Sequence, residues 1–285
     1  MKDMATHRPE ESVGRVEKLL GSSPAIRAIR RKIARLARLD TPLVITGEGG
    51  TGKSLLARII HQARAGASGY FEADIAAISE EYVGLEMFGL ERGTISWAKK
   101  SRPGLLELAH GGTVCLRNFD VWPRYLELAL MRVLREGVIV RMGGSPPIPV
   151  RVRIIGITSI DPTTLMKIGA LSRDLFRALA VDRVHLPPLR ERRDDIPVLA
   201  RHFVSRFAAS FREPDVGITE AALSLLCAYP WPGNIRELAN ELERAFALRH
   251  WPPPRERRPV PPDPRPIDVA DLPPHLAAPS SRPEA

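Results

Sequence analysis

The sequence predicts an α/β fold, a parallel sheet flanked by helices, followed by a small helical second domain. Three observations predict it. Short apolar runs alternate with amphipathic stretches up to about residue 186, the pattern of strand-helix units that build a covered parallel sheet. A glycine-rich loop, GEGGTGKS, runs from Gly47 to Ser54 between an apolar run and a helical pattern. From about residue 190 the strand-like runs stop and only helical patterns follow.

Residues 1–18 are polar and read as a lead-in. Ser23 and Pro24 offer an N-cap and a first-turn proline. Ile26, Ile29, Ile33 and Leu36 then recur at helical spacing on one face. Leu43-Val44-Ile45 reads as a buried parallel strand, and a helix is expected over 53–64. Thr113-Val114-Cys115-Leu116 is the next strand, running into Arg117 and Asn118. A helix near 124–136 and strands at 152–158 and 183–186 complete the first domain. Helices are expected at 196–211, 219–229 and 233–248, with Thr219 and Asn234 as caps. From Trp251 the composition changes: 12 of the 27 prolines fall in 252–285, so a proline-rich disordered tail is expected. The expected boundaries are therefore 1–18, 19–189, 190–250 and 251–285.

The 285 residues suffice for one large and one small domain. No apolar run is long enough to span a bilayer and no signal-peptide pattern opens the chain. Cys115 and Cys227 lie in apolar stretches and read as small core residues. A cytoplasmic protein is expected. The net charge of +9 is mostly arginine spread along the chain, which reads as solvated surface before it reads as a nucleic-acid face.

The loop fills the pattern G-x-x-x-x-G-K-[ST] with Gly47, Gly52, Lys53 and Ser54, and Glu48, Gly49, Gly50 and Thr51 stand between. Glycines let backbone N–H groups turn inward as an anion nest, and the following helix adds its positive end. Lys53 suits β- and γ-phosphates, and the Ser54 hydroxyl suits Mg²⁺. Hydrolysis needs more: a carboxylate for the metal, normally at the end of a later strand. Here the strand ends in Arg117-Asn118, and Asp120 lies beyond it.

Several blocks then resemble one family: LLGSSPAI from Leu19, GEGGTGKS, GLEMFGLERG from Gly84, ELAHGGT from Glu107, RVLREG from Arg132, RMGGS from Arg141, LPPLRERRDDIP from Leu186 and WPGNIRELAN from Trp231. Over roughly residues 18–250 the chain resembles the AAA+ domain of bacterial sigma-54-dependent transcriptional activators, the enhancer-binding proteins. The resemblance implies an AAA+ P-loop NTPase fold with a helical lid. It also implies ATP or ADP as ligand, a ring of like or related subunits, and a loop that engages sigma-54 RNA polymerase.

The resemblance carries over residue by residue, and unevenly. The phosphate loop matches, although Ser54 stands where the family usually has glutamate. Arg236 matches the lid arginine that senses nucleotide. The metal-binding aspartate and catalytic glutamate align with Arg117 and Asn118. The asparagine that restrains that glutamate aligns with Asp74, and the sensor asparagine aligns with Ser159. Two arginines that reach a neighbouring subunit align with Ser172 and Ala178; Arg173 and Arg177 lie one residue away, a step of about 100° on a helix. The polymerase-contacting GAFTGA loop becomes Gly93, Thr94, Ile95, Ser96, Trp97 and Ala98. No helix-turn-helix or sensor domain is legible. These joint departures lead us to expect a nucleotide-binding pseudo-ATPase in transcription control. Weak Mg²⁺ binding at Ser54 is expected, with no dependable polymerase contact. Two alternatives stand beside it: a working activator ATPase, and a non-catalytic DNA-binding or scaffold protein. Arg117 is expected to lend its charge to the phosphates, to repel Mg²⁺ and point to solvent, or to pair with Asp74 or Asp120.

Overall fold

The computed structural model describes residues 19–66, 68–95, 98–211, 215–249 and 265–276. They fall into two compact units. One comprises Ile29–Gly47 and Lys53–Leu186 with Leu19; the other comprises Leu20–Ala28, Glu48–Gly52 and the described residues from Pro187 onward. Two short upstream segments thus group with the lid.

The first unit runs through α1 (Pro24–Arg38, shared with the second unit), β1 (Leu43–Thr46), α2 (Lys53–Gln62), β2 (Tyr70–Asp74), α3 (Glu80–Phe88) and the two-residue strands β3 (Gly89–Leu90) and β4 (Arg102–Pro103). It continues through α4 (Leu105–Leu108), β5 (Thr113–Arg117), α5 (Glu127–Glu136), β6 (Val138–Ile139), β7 (Ile148–Pro149), β8 (Arg153–Thr158), α6 (Pro162–Lys167), α7 (Arg173–Leu179) and β9 (Asp182–His185). The main sheet has five parallel strands in the order β2-β5-β8-β1-β9. Its central strands β1, β5 and β8 are almost wholly buried, as the unbroken apolar runs require of strands covered on both faces. Val44, Val114, Leu116 and Ile154 pack with Phe119 and Trp122 in one core. Gly156 serves that packing directly, because a Cβ there would stand 2.9 Å from the Phe119 ring.

In the second unit, α8 (Ile196–Ser210), α9 (Glu220–Ala228) and α10 (Asn234–Arg249) enclose Trp231. Trp231 is fully buried and donates its indole N–H to the Leu226 carbonyl at 2.7 Å. Thr219 caps α9 as expected, accepting from Ala222 N at 3.2 Å. The disordered tail expected over 251–285 is corrected over 265–276. Ile267, Leu272 and Leu276 are buried in the lid core. Thr219 N donates to the Ile267 carbonyl at 2.9 Å, and Ile267 N donates to that of Gly217 at 3.1 Å. Each such apolar side chain contributes about 1.5–3 kcal/mol on burial. That is enough to hold a short proline-bearing segment whose composition alone argues for solvent. The rest of the tail and the lead-in lie outside the described residues.

Candidate functional site

The loop that joins β1 to α2 adopts the conformation its glycines allow. Gly47, Gly50 and Gly52 have φ of +142°, +77° and +102°, which other residues reach only with strain. At Gly47 a Cβ would run into the Leu186 carbonyl. Lys53 opens α2 and is 8% exposed. Its Nζ donates to the Gly47 carbonyl at 2.6 Å and to Ser159 Oγ at 3.1 Å. The structure thus brings the sensor-position serine to the lysine of the phosphate loop. A loop turned at three glycines, a helix start and a buried ammonium fit a polyphosphate.

At the C-terminal end of β5 the chemistry differs. Arg117 is the last residue of the strand, opposite Asp74 of β2 and Ile157 of β8. Its Nη2 lies 3.2 Å from Asp74 and its Nε 3.5 Å from Glu72. Glu72 in turn faces Arg58 at 3.6 Å. Asn118, in a left-handed conformation at φ 51°, donates its amide to Asp74 at 2.6 Å. Asp74 also accepts from Ala76 N at 3.2 Å. Arg117 therefore pairs with Asp74, one of the two expected partners, and with Glu72 rather than with Asp120. Asp74 is thus engaged by a guanidinium, an amide and a backbone N–H, and its charge is offset by Arg117. No group of three His, Cys, Asp or Glu that could hold a metal occurs among the described residues. The residues present do not fit a carboxylate-held Mg²⁺.

The positions aligned with the two reaching arginines are structural. Ser172 caps α7, accepting from Leu175 N at 3.2 Å. Ala178 is a partly buried residue of that helix, and Arg173 and Arg177 are exposed on it. In the loop at 93–98, Gly93 N donates to the Ala98 carbonyl and Ala98 N to that of Ile95, both at 2.9 Å. Thr94 donates to the Glu91 and Met142 carbonyls. Ser96 and Trp97 lie outside the described residues.

The second unit holds the remainder of the phosphate loop. Glu48 accepts a two-pronged bond from Arg190, at 2.9 and 2.6 Å; this is the main cause that raises the Arg190 pKa. Asn234 was expected to cap its helix and does not. It is fully buried at φ 56°, accepts from Leu189 N at 2.7 Å, and donates to Glu48 at 3.1 Å and to the Gly49 carbonyl at 2.9 Å. Arg192 is 2% exposed, and burial pulls its pKa down, opposed by Asp195. Its Nη2 donates to the Thr51 carbonyl at 2.9 Å. At Gly50 a Cβ would run into the Gly233 carbonyl. Arg236 is exposed and forms no ion pair with a described residue. Arg190, Arg192 and Asn234 as holders of the loop escaped the sequence reading. Their only trace is that they stand inside the blocks LPPLRERRDDIP and WPGNIRELAN.

Comparison with known proteins gives one consistent picture. Residues 19–185 match the model described as the sigma-54 interaction domain, and residues 190–285 match the AAA+ ATPase lid domain. The regulatory protein AtoC of Escherichia coli is 40% identical over 250 residues, covering 85% of this chain and 54% of its own length. The Psp operon transcriptional activator of Escherichia coli is 39% identical over 236 residues, covering 82% of this chain and 72% of its own. A crystal structure of NtrX from Brucella abortus in complex with ATP superposes with a TM-score of 0.79 at 32% identity. That match covers 94% of this chain and 57% of NtrX. The NtrX complex with ADP also gives 0.79. The chain spans about half the length of several curated relatives it matches.

Proposed function

The chain belongs to the sigma-54 interaction family of AAA+ domains, and from that premise we propose that it is a pseudo-ATPase of transcription regulation. It binds ATP or ADP through Gly47 to Ser54, with Lys53 and Arg236 as the cations, and hydrolyses it poorly or not at all. The observation that carries this reading is the Arg117 guanidinium at the end of β5, bound to Asp74 and Glu72 where phosphoryl transfer needs a metal-holding carboxylate. The NtrX complexes with ATP and ADP support the nucleotide half of it.

Lys53 places positive charge beside the nest, and Arg236 supplies an uncommitted guanidinium from the lid. Neither activates water. Asn118, at the position aligned with the catalytic glutamate, has no basic atom that takes a proton at neutral pH. The protein then acts by contacts in the cytoplasm, within a ring of its own or related subunits, and without the polymerase engagement of a GAFTGA loop. Nucleotide binding and phosphate release, each measured with and without Mg²⁺ across a range of protein concentrations, test the proposal. Binding in both conditions with no release above background is expected. Mg²⁺-dependent release that rises with concentration establishes the alternative, a working activator.

A further inference from the structure

A cleft of about 590 Å³ opens in the first unit and includes Arg38, Asp40, Arg64, Ser68, Gly111 and Arg151 in its lining. These residues come from segments that precede β1, β2, β5 and β8. The cleft thus lies at the N-terminal edge of the parallel sheet, whereas the phosphate loop leaves the C-terminal end of β1.

Three of the lining residues are arginines and one is an acid. Asp40 accepts from Arg64 Nη2 at 2.5 Å and from Arg151 Nη2 at 3.1 Å, and Arg151 is the main cause that lowers its pKa. The Arg64 side chain is 15% exposed, and its Nη1 is buried without a hydrogen-bond partner. Two residues beyond Arg151, Arg153 is pinned to the Leu36 and Thr41 carbonyls at 2.7 and 3.3 Å, and its Nη1 also lacks a partner. Arg38 and the Ser68 hydroxyl form no hydrogen bond with a described residue. Arg64 and Arg151 therefore share one carboxylate, and donors on Arg38, Arg64 and Arg153 are left over. The C-terminal ends of α1 and α2 favour nearby cations, which accounts for Arg38 and Arg64. It does not account for Arg151 or for the unsatisfied buried nitrogens, which cost free energy unless something offsets them.

We propose that this cleft binds a small phosphorylated anion, at a site separate from the phosphate loop. Guanidinium forks match phosphate oxygens two at a time. The volume falls within the range of small-molecule pockets. Ala37, Ala63, Gly66 and Gly111 add no bulk to the walls. The donors converge on a concavity instead of running along a stripe, as a nucleic-acid backbone would need. The proposal does not depend on what the phosphate loop does.

The test is calorimetric titration of the full chain carrying Lys53→Ala, at constant ionic strength, with inorganic pyrophosphate and in parallel with fructose 1,6-bisphosphate. Saturable binding of one ligand per chain is expected. It should weaken at least about tenfold when Arg38→Ala and Arg151→Ala are added, since each removes charge-assisted bonds. Both side chains are exposed, and circular dichroism checks that the fold is retained. The tighter of the two ligands tells an inorganic source from an organic one. No binding, equal affinity after the two arginine substitutions, or tighter binding of a polyglutamate peptide than of either phosphate overturns the proposal.

Discussion

The end of β5 and the loop-and-lid segment hold the two halves of one family's chemistry, and this chain treats them differently. In the second unit, Glu48, Gly49 and Thr51 are held by Arg190, Asn234 and Arg192 through bonds at 2.6 to 3.1 Å, and the Gly50 carbonyl accepts from Ile235 N at 3.0 Å. In the first unit, the positions that the resemblance aligns with metal binding and water activation carry a cation and an amide, both engaged by Asp74. One region keeps the shape of a phosphate holder. The other replaces uncompensated carboxylates with a neutralised ladder. Uncompensated carboxylates are strained without a metal, whereas Arg58, Glu72, Arg117 and Asp74 alternate in sign and need none. On the proposed pseudo-ATPase reading, holding a ligand and transforming it are separable in this fold.

Four variants break or sharpen that contrast and a fifth probes the fold beneath it; Lys53→Ala carries the largest expected effect. Lys53→Ala should lower nucleotide affinity by about 10- to 150-fold, since a bond to a charged donor is worth roughly 1.5–3 kcal/mol. Fluorescent-nucleotide titration reads it, and a loss under about threefold would detach binding from this loop. Asn234→Ala strands the Leu189 N–H and frees Gly49. It should cost about 2–3 kcal/mol in denaturant unfolding of the lid. Glu48→Gln, whose ion pair with Arg190 is some 40% exposed on both sides, should cost under about 0.5 kcal/mol.

Arg117→Asp combined with Asn118→Glu returns carboxylates to the end of β5. Nucleotide affinity in that variant should gain a Mg²⁺ dependence of about tenfold, measured by calorimetry, where the parent shows none. If the ratio stays at one, the metal position is not at β5. The last effect belongs to the fold beneath both regions. Burial, then Arg64 and Arg153, lower the pKa of His61 below 6.5, so the unfolded chain takes up the proton first. Stability is full above about pH 6.5 and falls on acidification, by at most about 1.4 kcal/mol per pH unit. His61→Gln should flatten the loss of melting temperature between about pH 7 and 5.5.

Much of the fold was legible from local pattern. β1, β5, β8 and β9 were found because buried parallel strands are written as apolar runs. β2 was missed because Tyr70-Phe71-Glu72-Ala73-Asp74 carries two acids and lies at the sheet edge, mostly half-buried. Those acids make sense only beside Arg58 and Arg117. Asn234 was read as a cap because an asparagine before a helical pattern usually is one. Its left-handed backbone turns the side chain to partners 45 and 185 residues away in sequence. Residues 265–276 were hidden by their prolines, although Ile267, Leu272 and Leu276 carry the burial.

The sequence by itself determined the sheet, the lid, the phosphate loop and the departure at Arg117, because each is written in residue type and short-range spacing. Only the tertiary structure decided what Arg117 does and what holds Glu48 to Thr51, and it alone opened the arginine cleft at the opposite edge of the sheet. These depend on side chains far apart in sequence meeting within about 3 Å, and hydrogen-bond and ion-pair energies fall away steeply beyond that range.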